Sequence, residues 1–217
     1  MLKTTIILII LLVIFTLNHL TAKDNDSGIW VDLSAIKNIR SLTFGFLGEF
    51  HTYEYNKSIE RIAIGGKFDW QLTPWISTGL GYMLMNFVHP DANEIRERLY
   101  FQLSPEWNTS RFNFNFRERI QVTLYPEAKT KTPAASFWRN RFETIYKGNG
   151  WKLEPLTSIE ALYHLQGLGL KYFEEVRLTL GANYLMSQHQ RLKVYGMYTN
   201  GIVQNRYLLG IVYEFTL

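Results

Sequence analysis

The sequence predicts an all-β chain: an up-and-down antiparallel transmembrane β-barrel of ten strands, with twelve as the alternative. Three observations lead there. Long segments alternate apolar and polar residues with a two-residue period, the separators between them alternate short and long, and an export-type leader stands in front. The stretch RFNFNFRERIQVTLY, Arg111 to Tyr125, shows the first of these most plainly. Phe112, Phe114, Phe116, Ile120, Val122 and Leu124 fall on one face of an extended chain, and Asn113, Asn115, Arg117, Arg119, Gln121 and Thr123 on the other.

The leader occupies 1–22. Lys3 is followed by an apolar run from Ile6 to Leu17 and then by small or polar Thr21 and Ala22, the layout of a cleaved signal peptide. The apolar run is well short of the ~20 residues that a spanning helix needs. Residues 23–40, including Gly28 to Ile36, would add an eleventh strand and break an even count. They are therefore expected to lie in the periplasm or inside the barrel, or to form half of an unseen pair in a twelve-strand barrel.

The barrel itself is expected over 41–217. Leu42, Phe44, Phe46 and Phe50 alternate with Thr43, Gly45, Glu49 and His51; Ile62, Ile64, Phe68 and Trp70 alternate with Arg61, Ala63, Lys67 and Asp69. Leu99, Phe101, Leu103 and Trp107 oppose Arg98, Tyr100, Gln102 and Glu106. Further on, Val176, Leu178, Leu180 and Tyr184 oppose Glu175, Arg177, Thr179 and Asn183, and Tyr207, Leu209, Ile211, Tyr213 and Phe215 oppose Arg206, Leu208, Gly210, Val212 and Glu214. Weaker alternation covers 75–87, 137–147, 151–163 and 189–200. Short separators (Thr73-Pro74, 108–110, 147–150, 187–188) take turns with longer ones (52–58, 88–95, 125–136, 163–171, 200–205), as periplasmic turns and outer loops do.

Such a sheet must close. Each unpaired backbone group in hydrocarbon costs several kcal/mol, so an open edge is not tolerated there. The lipid face then takes the apolar set and the lumen the charges. Aromatics make up 15% of the chain, and Trp70, Trp75, Trp107, Trp138 and Trp151 sit near strand ends, where interfacial girdles lie. A soluble lipocalin-type barrel would have the reverse layout, with an apolar interior. These features place the protein in the bacterial outer membrane, porin-like in build. Its partners would be outer-membrane lipids and the barrel-assembly machinery.

Other classes find little support. The chain has no cysteine, which removes disulfides, thiol catalysis and thiolate metal sites. A net charge of +4 comes from basic residues interleaved with apolar ones, so no nucleic-acid partner is expected. No Gly-x-Ser-x-Gly elbow occurs, and His51, His89, His164 and His189 share no metal spacing, so neither a catalytic residue nor a metal site is assigned. Asp91 with Glu94, and Glu174 with Glu175, read as solvated loop charge in preference to calcium ligands. Gly65-Gly66 and Gly79-Leu80-Gly81 precede no helix and so cradle no phosphate. No cofactor is expected.

Trp30-Val31-Asp32-Leu33, Gly79-Leu80-Gly81-Tyr82, Arg117-Glu118-Arg119 and Tyr213-Glu214-Phe215 resemble an uncharacterised bacterial family of outer-membrane barrels, the domain of unknown function 2490 family, across 28–217. The resemblance implies an outer-membrane barrel without established activity, so it carries over no catalytic residue.

The informative constellation is the lumen charge network: Glu49, Arg61, Lys67, Asp69, Arg98, Glu106, Arg117, Arg119, Arg139, Arg141, Glu143 and Arg177, with Glu154, Glu160, Glu175, Arg191, Lys193, Arg206 and Glu214 on the same face. In a barrel this narrow, long side chains fill the interior. Arginines and glutamates from neighbouring strands can then plug it through paired hydrogen bonds. Alternatively, Arg117, Arg119, Arg139 and Arg141 form a positive stripe along a narrow channel. The functional expectation is thus a structural or narrow channel-forming barrel. An outer-membrane enzyme acting on lipid and a secreted lipocalin-like ligand-binding barrel stand as alternatives.

Overall fold

The computed structural model describes residues 25–89, 92–126, 134–166, 169–202 and 204–217. The leader at 1–22, and Asp91 of the loop pair above, lie outside the described residues. Eleven strands close into one barrel: β1 (Asn25–Ile39), β2 (Leu42–Tyr53), β3 (Ser58–Thr73), β4 (Ile76–Phe87), β5 (Glu94–Asn108), β6 (Phe112–Leu124), β7 (Ala134–Tyr146), β8 (Leu153–Gln166), β9 (Gly169–Leu185), β10 (Gln190–Gly201) and β11 (Asn205–Thr216). Among the described residues no helix occurs. The shortest strands have 12 residues and the longest 17, more than the ~9–11 that cross a bilayer when tilted.

Each strand pairs antiparallel with its sequence neighbour, and the barrel closes where β1 meets β11 in parallel, from Asn25↔Asn205 to Ile36↔Thr216. This corrects two expectations: eleven strands replace ten, and Asn25–Ile39 lies in the wall instead of inside the barrel or beside it. The physical reason is simple. Closure demands that both edges be paired, and a parallel ladder satisfies the backbone as an antiparallel one does, only slightly less stably per residue. β1 also carries the two-faced pattern of a wall strand: Val31, Leu33 and Ala35 share its outer face, and Trp30, Asp32 and Ser34 its lumen face, with Trp30 opposite His51 on β2 and Asp32 opposite Glu49.

One mouth holds the connections at 40–41, 74–75, 109–111, 147–152 and 186–189; at the other lie the adjoining ends of β2 and β3, β4 and β5, β6 and β7, β8 and β9, and β10 and β11. We refer to these as the turn mouth and the loop mouth. Arg40 (φ 55°) makes the two-residue reversal at 40–41, and Glu54, Tyr55 and Asn56 all take positive φ between β2 and β3. Trp70, Trp75, Trp107 and Trp151 are all exposed and gather at the turn mouth. There Trp107, Phe112, Phe114, Phe142 and Tyr146 stack in one aromatic run.

The two faces are inverted relative to a soluble protein. Phe46 (60% exposed), Leu180 (61%) and Ile64 (53%) point outward, while His51, Gln121, Glu143 and Glu160 are buried inside. The alternation in the sequence therefore assigns the faces of β2, β3, β5, β6, β9 and β11 correctly. Some apolar side chains also enter the lumen: Ala63, Met83 and Met85 cluster with Phe87 on β3 and β4, and Leu156, Leu162, Met197 and Leu208 are buried as well.

Candidate functional site: the charged lumen

The alternation puts every charged residue of the expected network on the inner face, and closure decides which of them meet. Around the middle, β6 and β7 set Arg117 opposite Arg141 and Arg119 opposite Arg139, four guanidiniums in a square. Glu160, on β8 opposite Arg141, takes the centre. Its carboxylate accepts from Arg117 Nη2 (2.5 Å) and Arg139 Nη2 (2.8 Å), and Arg177 Nη1 approaches at 3.6 Å. Arg177 is also tied to Glu175 on its own strand through Nε (2.6 Å). Glu143 takes Lys193 Nζ from β10 at 3.0 Å and stands 3.8 Å from Arg141.

Arg119 has no carboxylate partner among the described residues. Its Nη2 and Nε donate to Gln102 Oε1 (2.6 and 3.2 Å), and its guanidinium lies 4.0 Å over the Tyr100 ring. Gln102 in turn donates to Asp69 Oδ1 at 3.0 Å, and Lys67 stands 3.5 Å from the same carboxylate. Asp69 on β3 and Gln102 on β5 meet across β4 because Gly79 lies between them in the ladder. A Cβ there would fall 2.0 Å from Asp69 Oδ1. Gly81 similarly makes room for the Tyr100 ring. These glycines serve close approach, as strand glycines do.

Nearer the loop mouth, β1 contributes what the sequence reading did not place. Trp30 stacks on His51 (4.2 Å between centroids, 11°), and His51 Nε2 lies 3.1 Å from Asp32 Oδ1. Glu49 Oε2 is 3.9 Å from the same nitrogen and accepts from Arg61 Nη2 at 2.6 Å. Asp32, Glu49 and His51 thus bring three ligand-type atoms within 4.8 Å of one another, across two strands and therefore without any spacing signal in the sequence. Arg61 already neutralises Glu49, so the group reads as an ionic cluster. Among the described residues the partners of His51 are Asp32, Glu49 and Trp30. At this mouth Arg206 Nη1 reaches Glu60 (3.0 Å), and Arg96 bonds Glu94 (2.6 Å) while lying 3.8 Å over Phe87.

The remaining members are dispersed. Glu106 accepts from Asn113 and Asn108 at the turn mouth, and Arg191 comes within 4.0 Å of Glu214. Glu154 is buried beside Asn183. Among the described residues Arg98 has no hydrogen bond or ion pair, and its Nε is buried. Between these groups remains a lumen cavity of ≈540 Å³, bounded by residues from Trp30 and Arg61 to Arg119, Arg141 and Tyr195.

The family profile described as "Protein of unknown function (DUF2490)" matches residues 27–206. The chain belongs to that family. The DUF2490 match begins within β1 and runs to the start of β11, so it takes in the strand that closes the barrel. No protein of curated function matches. Among solved structures, a threefold mutant of the Rh. blastica porin is similar at 6% identity and a TM-score of 0.20, covering 79% of this chain and 84% of the porin. A fivefold mutant of the same porin gives the same figures.

Proposed function

We propose that this DUF2490 protein is an integral outer-membrane β-barrel whose lumen is closed by an ionic plug. The observation that carries the reading is the inversion of its faces: apolar side chains ring the outside while carboxylates are buried inside, with guanidiniums paired to them. Such an outer surface is stable against hydrocarbon, and a closed barrel leaves no edge unpaired there. It also argues against a lipocalin-like secreted barrel, whose interior is apolar.

The plug is supported by ion pairs that reach over intervening strands. Lys193 on β10 meets Glu143 on β7, and Arg206 on β11 meets Glu60 on β3. Arg119 and Arg141, the guanidiniums with the weakest carboxylate ties in the square, favour a second reading, a narrow anion-preferring path. Cell fractionation and planar bilayers test both readings. A heat-modifiable band in the outer-membrane fraction is expected; recovery from the soluble periplasm overturns the location. Silent wild-type protein that turns leaky when Arg119 and Arg141 become alanine is the plug. Conductance in the wild type, with anion preference lost in that variant, is the path.

A further inference from the structure

The lumen cavity is walled by ten Arg or Lys residues against six Asp or Glu. Three carboxylates behind this wall, Asp26, Glu94 and Glu143, neutralise most of the excess through Arg206, Arg96 and Lys193. What they leave is local. Nine of the ten cations have a carboxylate, an amide or an aromatic face. Among the described residues Arg98 has none of these. The guanidiniums of Arg61, Arg139 and Arg177 line the same cavity and oppose its charge, while the Glu49 carboxylate there favours it. A guanidinium with buried Nε, facing three others and unpaired, is an expensive arrangement unless an anion completes it. Its planar fork is suited to bidentate capture of an oxyanion.

We propose that Arg98 is the receiving residue of an anion site in the lumen, and that the compartment takes a small, multiply charged organic oxyanion. The volume of ≈540 Å³ lies within the range of small-molecule pockets and exceeds what a lone inorganic ion fills. Trp30, Phe137 and Tyr195 supply aromatic surface for the body of such a ligand, with Arg61 and Arg139 lining the same cavity to share its charge. Phosphate esters and polycarboxylates have this chemistry in common. The site depends on the closed barrel and not on its place in a membrane, so it stands or falls separately from the location and the plug.

The test uses the full chain refolded in detergent, with the heat-modifiable band as the check of folding. Pyrophosphate and citrate are titrated calorimetrically at low chloride. Saturable binding of at least one probe is expected, and which of them binds tells phosphate from carboxylate chemistry. Arg98→Gln should weaken binding at least tenfold, while Arg191→Gln, at the turn mouth, should leave it unchanged. No saturable binding by either probe, or equal affinity in Arg98→Gln and wild type, overturns the site. A second measurement needs no variant: the probe that binds should protect Arg98 from phenylglyoxal in the wild-type protein, read by peptide mass. Modification of Arg98 at the same rate with and without the probe also overturns it.

Discussion

Arg119 and Arg139 stand directly opposite each other in the ladder between β6 and β7. Like charges at such positions destabilise a sheet. The barrel tolerates this pair because each turns to a different acceptor: Arg119 to Gln102 on one side, Arg139 to Gln121 and Glu160 on the other. The same division holds for the pair above it, where Arg117 goes to Glu160 and Arg141 toward Glu143. Two carboxylates therefore carry most of the neutralisation of four guanidiniums.

Glu160→Gln should in consequence be among the most damaging single changes in the lumen. It leaves Arg117, Arg139 and Arg177 around a neutral amide. Removing one partner of a buried charge pair costs about 3–5 kcal/mol, and the partly open lumen places the expected loss near ~3 kcal/mol. Glu154→Gln, where the carboxylate takes a single 3.4 Å bond from Asn183, should cost ~1 kcal/mol or less. Urea unfolding midpoints of the two variants, followed by the heat-modifiable band, make the comparison. Equal losses would mean that the Glu160 hub is not what holds the square.

The parallel seam is open to a direct chemical check because the chain has no cysteine of its own. Ala35 and Phe215 are register partners on β1 and β11. Cross-strand partners lie within the ~4.4–6.8 Å Cα separation that a disulfide bridges. The Ala35→Cys, Phe215→Cys double variant should therefore close an intramolecular bond on mild oxidation and run faster on a non-reducing gel. A ten-strand barrel with β1 off the wall would leave both thiols free to alkylation.

How far the sequence reached can be seen from these residues. A two-residue period fixes which face each side chain takes, so Phe46, Glu49, Phe101 and Arg117 were legible at once. β1 was not, because an even-numbered antiparallel barrel has no place for an eleventh strand, and a parallel closing ladder leaves no mark in either strand. The cost fell on the site: with β1 placed elsewhere, nothing could bring Trp30 and Asp32 to His51. Partners on one inner face were similarly illegible, since Lys193 and Glu143 lie 50 residues apart and meet only through closure. Arg98 was legible as a lumen charge, but its isolation was not.

The inversion of faces predicts opposite responses to the same new charge. Phe101, 51% exposed at the midpoint of β5, lies between Leu80 and Ile120 on the outer face. Phe101→Arg should cost about 2–4 kcal/mol in lipid vesicles, the range for a basic residue at the membrane midplane. Asn115→Arg points into the lumen, where its ladder partners Glu106 and Glu143 offer counter-charge, and should cost far less. Similar folding yields for the two in vesicles would mean that the outer face does not meet lipid.

A carboxylate at mid-strand breaks the outer pattern. Glu118 lies on the apolar face of β6, between Leu103 on β5 and Asn140 on β7, and accepts from Trp138 Nε1 at 2.5 Å. A charge there weakens a membrane barrel, less for an acid than the 2–4 kcal/mol of a base, so about 1 kcal/mol is a fair scale. Glu118→Gln keeps an acceptor for Trp138 and removes the charge. It should therefore raise stability in lipid vesicles by ~1 kcal/mol, and by less in detergent, where water reaches the micelle surface more readily. Parallel urea titrations in the two environments give the answer. A loss of stability in vesicles would instead mean that the Glu118 charge is satisfied from outside the barrel, by a basic group that approaches this face in the membrane.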